Sequence, residues 1–284
     1  MEQKPFDLHR PDVPTTSVVF ASPHSGRDYP DELLRESTLA PAILRSSEDA
    51  FVDRLLMHAP ETGAPLLCAR LPRAWLDLNR APGELDPALI KGLGRGPHNP
   101  RVASGLGVVP RVVSGGRPIY EGKIALATAE ERIRDAWHPY HRTLRELVSD
   151  ARNRFGEAIL IDCHSMPHEA LEHLSGKRPD IVLGDRFGAA ASVEIVDRLQ
   201  TIFTDLGLSC ARNVPFAGAY IAQHYGRPAK GQHAVQIEID RALYMDEVRI
   251  EPHQGFDAFK SVMDNAIEAI TEIGRHRTQS LAAE

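Results

Sequence analysis

Short apolar runs bounded by polar residues recur along this chain, and two of them end alike. Ala158–Met166 opens with four apolar residues and closes on Asp162, Cys163, His164 and Ser165. Ser17–Ser22 is a second run of this type, followed by Pro23, His24, Ser25 and Gly26. Runs of this length read as strands buried on both faces. Each then delivers a histidine at or just past its carboxyl end, the edge where open α/β sheets bind ligands. The same pattern predicts strands over Pro65–Arg70, Trp75–Leu78, Asp180–Gly184, Leu208–Arg212 and Ala234–Asp240.

Helical periodicity fills the intervals. A short helix is predicted from Asp31 to about Glu36. A second starts at Ser46 and Ser47, with Phe51, Val52, Leu55 and Leu56 as its apolar face and Asp49 and Asp53 four apart on one side. Thr128-Ala129-Glu130-Glu131 reads as a capping box opening a long helix to about Phe155, kinked at Pro139. Further helices are predicted over Gly188–Leu206 and from about Gln254 to His276. Residues 1–16 read as an irregular arm. Residues 81–120, rich in Gly and Pro, read as a long excursion serving a site. Strands alternating with helices predict an α/β fold: one domain over 1–284 with a mostly parallel sheet flanked by helices on both faces.

Composition narrows the function classes. The net charge of -6 disfavours nucleic acid. Without an eighteen-residue apolar stretch or a basic-then-apolar leader, no membrane association is expected and a cytoplasmic location is. Cys68, Cys163 and Cys210 are too few and too scattered for a disulfide framework or a thiolate zinc site, and read as small fillers.

The chemistry points to metal-assisted hydrolysis. Two histidines and one carboxylate make a common catalytic zinc set with a fourth position for water. His24 and His164 are the candidate imidazoles; Glu48, Asp49, Asp53 and Asp162 all compete for the third place. Glu238 interrupts the apolar run VQIEI, so if buried it is paired or functional, and a general base is the functional reading. An edge strand with a solvated face is the competing one. Asn79-Arg80 is suited to forking onto a carboxylate, although such pairs are commonly surface residues. His141 falls on an apolar helix stripe and reads as a satisfied core histidine. Nucleotide-binding glycine motifs and a GxSxG elbow are absent from the sequence.

Seven segments then carry a resemblance: SPHSG at 22–26, EDAFVDRL at 48–55, DLNR at 77–80, WHPYH at 137–141, DCHS at 162–165, GAYIAQHYGRP at 218–228 and QIEIDRALYMDE at 236–247. Together, and in this order, they resemble the N-formylglutamate amidohydrolase family. The resemblance implies a zinc enzyme with a mixed, metallo-carboxypeptidase-like sheet. The implied reaction hydrolyses N-formyl-L-glutamate to formate and glutamate, late in histidine breakdown. It implies His24 and His164 as metal ligands, with Asp49 aligning best as the third and Glu48 as the fallback. The carboxypeptidase pattern His-x-x-Glu is not met, since Arg27 stands three residues after His24. Glu238 is the implied catalytic glutamate. Asn79 and Arg80 are the implied carboxylate anchors. For the mechanism, Arg73 is expected beside the oxyanion and His224 is expected in the substrate set. The expected partner is a small-molecule N-acyl amino acid, and the sequence sets no oligomeric state. The competing functions are a metallo-carboxypeptidase or amidase acting on another N-acyl amino acid, and a non-catalytic binding module on the same fold.

Overall fold

A computed structural model of the chain describes residues 4–94, 96, 98–172 and 178–281, with the backbone alone at 276–281. In chain order the strands are β1 (Phe6–His9), β2 (Val18–Ser22), β3 (Leu66–Ala69), β4 (Val112–Val113), β5 (Arg117–Pro118), β6 (Ala158–Met166), β7 (Ile181–Gly184), β8 (Cys210–Arg212), β9 (Gln232–Asp240), β10 (Met245–Asp246) and β11 (Glu251–Pro252). The helices are α1 (Asp31–Glu36), α2 (Pro41–Leu44), α3 (Val52–Leu55), α4 (Pro100–Ala103), α5 (Leu126–Arg132), α6 (His138–Phe155), α7 (Val193–Asp205), α8 (Tyr220–Tyr225) and α9 (Phe256–Leu281). Seven strands form one sheet in the order β1-β3-β2-β6-β9-β7-β8. The β2–β6, β6–β9 and β7–β8 ladders are parallel, and β7 runs antiparallel to β9. The expected mixed, mostly parallel sheet is therefore present.

By internal contacts the chain forms two compact units. The first comprises Met1–Asp7, Pro23–Ala50 and Cys68–Thr143. The second comprises Leu8–Ser22, Phe51–Leu67 and Leu144–Glu284. The second unit carries the centre of the sheet. Every residue of β2 and β6 is buried, as is β9 from His233 onward, which is why these strands read as continuous apolar runs. On α7 the buried positions are Ile195, Val196, Leu199 and Phe203, an i, i+1, i+4, i+8 stripe set by the 3.6-residue turn.

Several predicted elements are corrected. Residues 6–9 form a strand rather than part of an irregular arm. The helix predicted from Ser46 breaks. A 3-10 turn at Arg45–Ser47 ends, and only Val52–Leu55 is helical. Phe51 between them takes φ 66, a left-handed conformation that a helix cannot contain. The Asp49 amide donates to the His24 carbonyl (3.0 Å), so it serves the loop after β2 instead of a helix. Trp75–Leu78 is a series of turns, not a strand; the Trp75 amide closes back on the Pro72 carbonyl. The long helix starts at Leu126, so Thr128 lies inside it and caps nothing. The irregularity expected at Pro139 takes the form of a π turn over Ile133–Trp137. A proline ring crowds the carbonyl four residues back, and a wider turn relieves that crowding. Helix α7 starts at Val193 rather than Gly188, because Arg186, Phe187 and Gly188 all have positive φ. No helix among the described residues is long and apolar enough to cross a membrane.

Candidate metal centre and active site

In the first unit the site grows from the loop after β2. Its Ser22-Pro23-His24-Ser25-Gly26 segment has no room for side chains at Gly26. A methyl there would overlap the Leu71 carbonyl oxygen and lie 2.6 Å from the Arg70 carbonyl carbon. Close backbone approach is thus what the glycine provides. His24 is 2 % exposed, and its Nε2 lies 2.7 Å from Asp77 Oδ1. Its Nδ1 faces Asp49 Oδ2 at 3.4 Å, and Asp49 is 1 % exposed. A carboxylate on Nε2 fixes the proton there and makes Nδ1 the basic nitrogen. Two ligand atoms bound at about 2.1 Å in tetrahedral array stand about 3.4 Å apart, so the His24–Asp49 spacing fits a shared zinc-type ion. Glu48, the fallback ligand, is engaged elsewhere: it accepts from the Tyr29 hydroxyl (2.7 Å) and from Arg45 Nε (3.1 Å).

Asp77 is the hub that sequence reasoning missed. It also accepts from Arg73 Nη2 (2.8 Å) and from the Asn79 amide (2.8 Å). Burial alone would raise its pKa, but the charges of Arg73, His24 and Arg80 outweigh that and hold it well below the usual carboxylate range. The available signal was its place in DLNR, inside one of the seven segments. Arg73, expected beside an oxyanion, is placed on Asp77. Arg80 is buried and held by the Leu106 carbonyl on Nε (2.9 Å) and the Asn79 carbonyl on Nη1 (3.0 Å). Trp137 Nε1 donates to the Arg80 carbonyl at 2.9 Å. His141 is the satisfied core residue expected. It donates to the Leu78 carbonyl at 2.8 Å and lies 4.0 Å from the Trp137 ring.

In the second unit β6 and β9 carry the other candidate residues. Because β6 runs through both residues, Asp162 and His164 share a face. Asp162 Oδ2 lies 3.0 Å from His164 Nε2, repeating the carboxylate–imidazole arrangement of His24. Asp162 is thereby placed as a partner of His164. His164 is the register partner of Glu238 in the parallel ladder, so imidazole and carboxylate stand side by side on adjacent strands. Glu238 is 7 % exposed on an interior strand, which removes the solvated-edge reading. Its Oε1 accepts from Gln236 Nε2 (2.8 Å), and Gln236 Oε1 accepts from the Ala219 amide (3.0 Å). That second bond anchors the segment leading into α8, where His224 stacks on Tyr220 at 5.0 Å. Burial, then the nearby Arg227 and Arg145, lowers the His224 pKa. Buried Arg241, also missed in sequence, braces β6 by donating to Ser165 Oγ (3.1 Å). Cys68 and Cys163 are buried thiols; the half-buried Cys210 thiol is pushed up to about 11 by burial and by Asp180.

His24 and Asp49 in the first unit, and His164 in the second, are buried groups that each offer an atom able to bind a divalent metal. The mixed α/β sheet carries a buried imidazole and a buried glutamate side by side toward the carboxyl ends of β6 and β9, and in sheets of this class that edge is where ligands bind. The sequence matches N-formylglutamate amidohydrolase over residues 16–245, and the chain belongs to that family. It is 32 % identical to an N-formylglutamate deformylase of Pseudomonas aeruginosa, over 81 % of this chain and 83 % of the relative. A deformylase of the same name from Pseudomonas putida is 32 % identical over 86 % of each. The crystal structure of N-formylglutamate amidohydrolase from Ralstonia eutropha JMP134 superposes with a TM-score of 0.91 at 35 % identity, over 96 % of this chain and 99 % of that one.

Proposed function

We propose that the protein is a metal-dependent hydrolase of the formyl amide of N-formyl-L-glutamate, releasing formate and glutamate. The observation that carries the reading is the pairing of His164 with Glu238 across β6 and β9, in a family whose relatives bear the deformylase name. His24, Asp49 and His164 are the proposed metal ligands and zinc the proposed ion. Asp77 and Asp162 hold the two imidazoles in the tautomer that presents Nδ1. When bound, such an ion polarises the amide carbonyl and acidifies the attacking water.

Glu238 takes the proton from that water and returns it to the leaving amine nitrogen. Gln236 donates to its Oε1, which orients the carboxylate. Arg80 and Asn79 bind the α-carboxylate. Both come from the turn that Asp77 organises, which fixes the amide against the reacting groups. Arg73 and His224 complete the proposed substrate set.

The test is metal content together with formate release. His24→Ala and His164→Ala are each expected to lose bound zinc and turnover while keeping native circular dichroism. Full zinc and full turnover in His164→Ala would place the site elsewhere.

A further inference from the structure

Beyond Glu238, β9 continues for two residues and ends on Asp240. Side chains alternate along a strand, so Glu238 and Asp240 share a face. The register pairs His164 with Glu238 and Met166 with Asp240, which sets Asp240 one side-chain row further out. That row lies about 6.6 Å along the strand from Glu238, at about 3.3 Å per residue. The row is not bare. Asp240, 5 % exposed, places Oδ2 2.7 Å from His168 Nδ1. Its Oδ1 accepts from the Ala242 amide at 3.0 Å. The His168 amide in turn donates to Glu247 Oε1 at 2.9 Å, so the histidine is held at backbone and ring.

The other ring nitrogen, Nε2, lies 2.6 Å from Arg178 Nη1. A guanidinium only donates, so Nε2 accepts and the proton sits on Nδ1, facing Asp240. The chain Asp240–His168–Arg178 therefore has one hydrogen-bond direction, ending in a cation. Among the described residues the Arg178 guanidinium hydrogen-bonds to this imidazole and to no carboxylate. Arg178 is exposed and the His168 side chain is 40 % exposed, so an anion has access to both.

We propose that Arg178, positioned by His168 and Asp240, receives the side-chain carboxylate of an acidic N-acyl amino acid. The inference rests on the deformylase reading and names what selects its substrate. Five bonds separate the formyl carbon of N-formylglutamate from its side-chain carboxyl carbon, a reach of about 6 Å when extended. Arg178 Nη1 stands past the Asp240 row, across the His168 ring, so the longer arm is the one that extends toward it. Three bonds lead to the α-carboxyl carbon, which stays within the nearer row. Of the two carboxylates, the side-chain one extends further toward the group Asp240, His168 and Arg178. Arg178 is a specificity residue here, and His168 a positioning residue that acts through it.

The experiment compares kcat/KM on N-formylglutamate and N-formylglutamine, which differ in that one carboxylate. Wild type is expected to prefer the acid. Arg178→Ala is expected to cut the acid-over-amide ratio by about 10- to 100-fold, the range for a hydrogen bond to a charged group. Arg178→Lys keeps the charge without the fork and is expected to recover part of the ratio. His168→Gln is expected to raise KM for the acid more than it lowers kcat. An unchanged ratio in Arg178→Ala, or a wild type indifferent to the carboxylate, overturns the inference and leaves the deformylase reading standing. A zinc-loaded wild type that hydrolyses neither compound overturns that reading, and this inference with it.

Discussion

At the residue scale, each imidazole proposed as a metal ligand has a carboxylate on its Nε2, Asp77 for His24 and Asp162 for His164. Partners of this kind set the tautomer and the basicity of the ligand, and their loss typically costs 10- to 100-fold in metal affinity. Asp77→Asn keeps the shape but no longer holds the proton on His24 Nε2. Zinc affinity is expected to fall by about that factor, read by competition with a chelating dye. Glu238→Gln separates base from ligand. Turnover is expected to fall by roughly two to four orders of magnitude, the range for general acid–base work, with zinc content unchanged. Loss of zinc in that variant would make Glu238 a ligand. Arg80→Lys is expected to cost about 1.5–3 kcal/mol in kcat/KM on N-formylglutamate. On N-formylisoglutamine, whose α-carboxylate is already an amide, the loss should be much smaller; equal losses would give Arg80 a purely structural role.

At the element scale, legibility followed burial. β2, β6 and β9 were readable because they are enclosed on both faces, and Glu238 stood out against that apolar background. His24 and His164 were readable for the same reason, as polar residues at the ends of apolar runs. The turn at Trp75–Leu78 was not, since three of its four residues are apolar while their hydrogen bonds go to Pro72 and Val108. Nor was the break before α3, which depends on a left-handed Phe51 and on the Asp49 amide reaching His24. Asp77 escaped notice because a carboxylate in a turn is ordinary, and its partner lies 53 residues away in sequence. Gly26 tests the loop directly. Gly26→Ala is expected to destabilise the fold by about 1–3 kcal/mol, measured by denaturant unfolding, because backbone rather than a flexible side chain blocks the added methyl. Wild-type stability in Gly26→Ala would show that the loop can move away from Leu71.

For the molecule as a whole, β6 is the strand from which the sheet is organised. Val18 pairs with Ile159 on one side of it, and His233 pairs with Ile159 on the other. β7, made before β9, is hydrogen-bonded to β9 and not to β6. During synthesis the strand at 158–166 therefore emerges with one partner already made and the other still to come. Parallel pairing across such separations closes slowly and leaves strand edges open to other chains. A nascent chain that has passed Gly184 but not reached Gln232 presents two unpaired, largely apolar edges at once. Chains terminated near residue 230 are expected to pellet with aggregates in a translation extract, whereas chains carried through β9 and α9 stay in the supernatant. The strand that carries Glu238 is thus also the one whose arrival ends the exposure of the sheet, so the interval between the two is where a holding chaperone has its purchase.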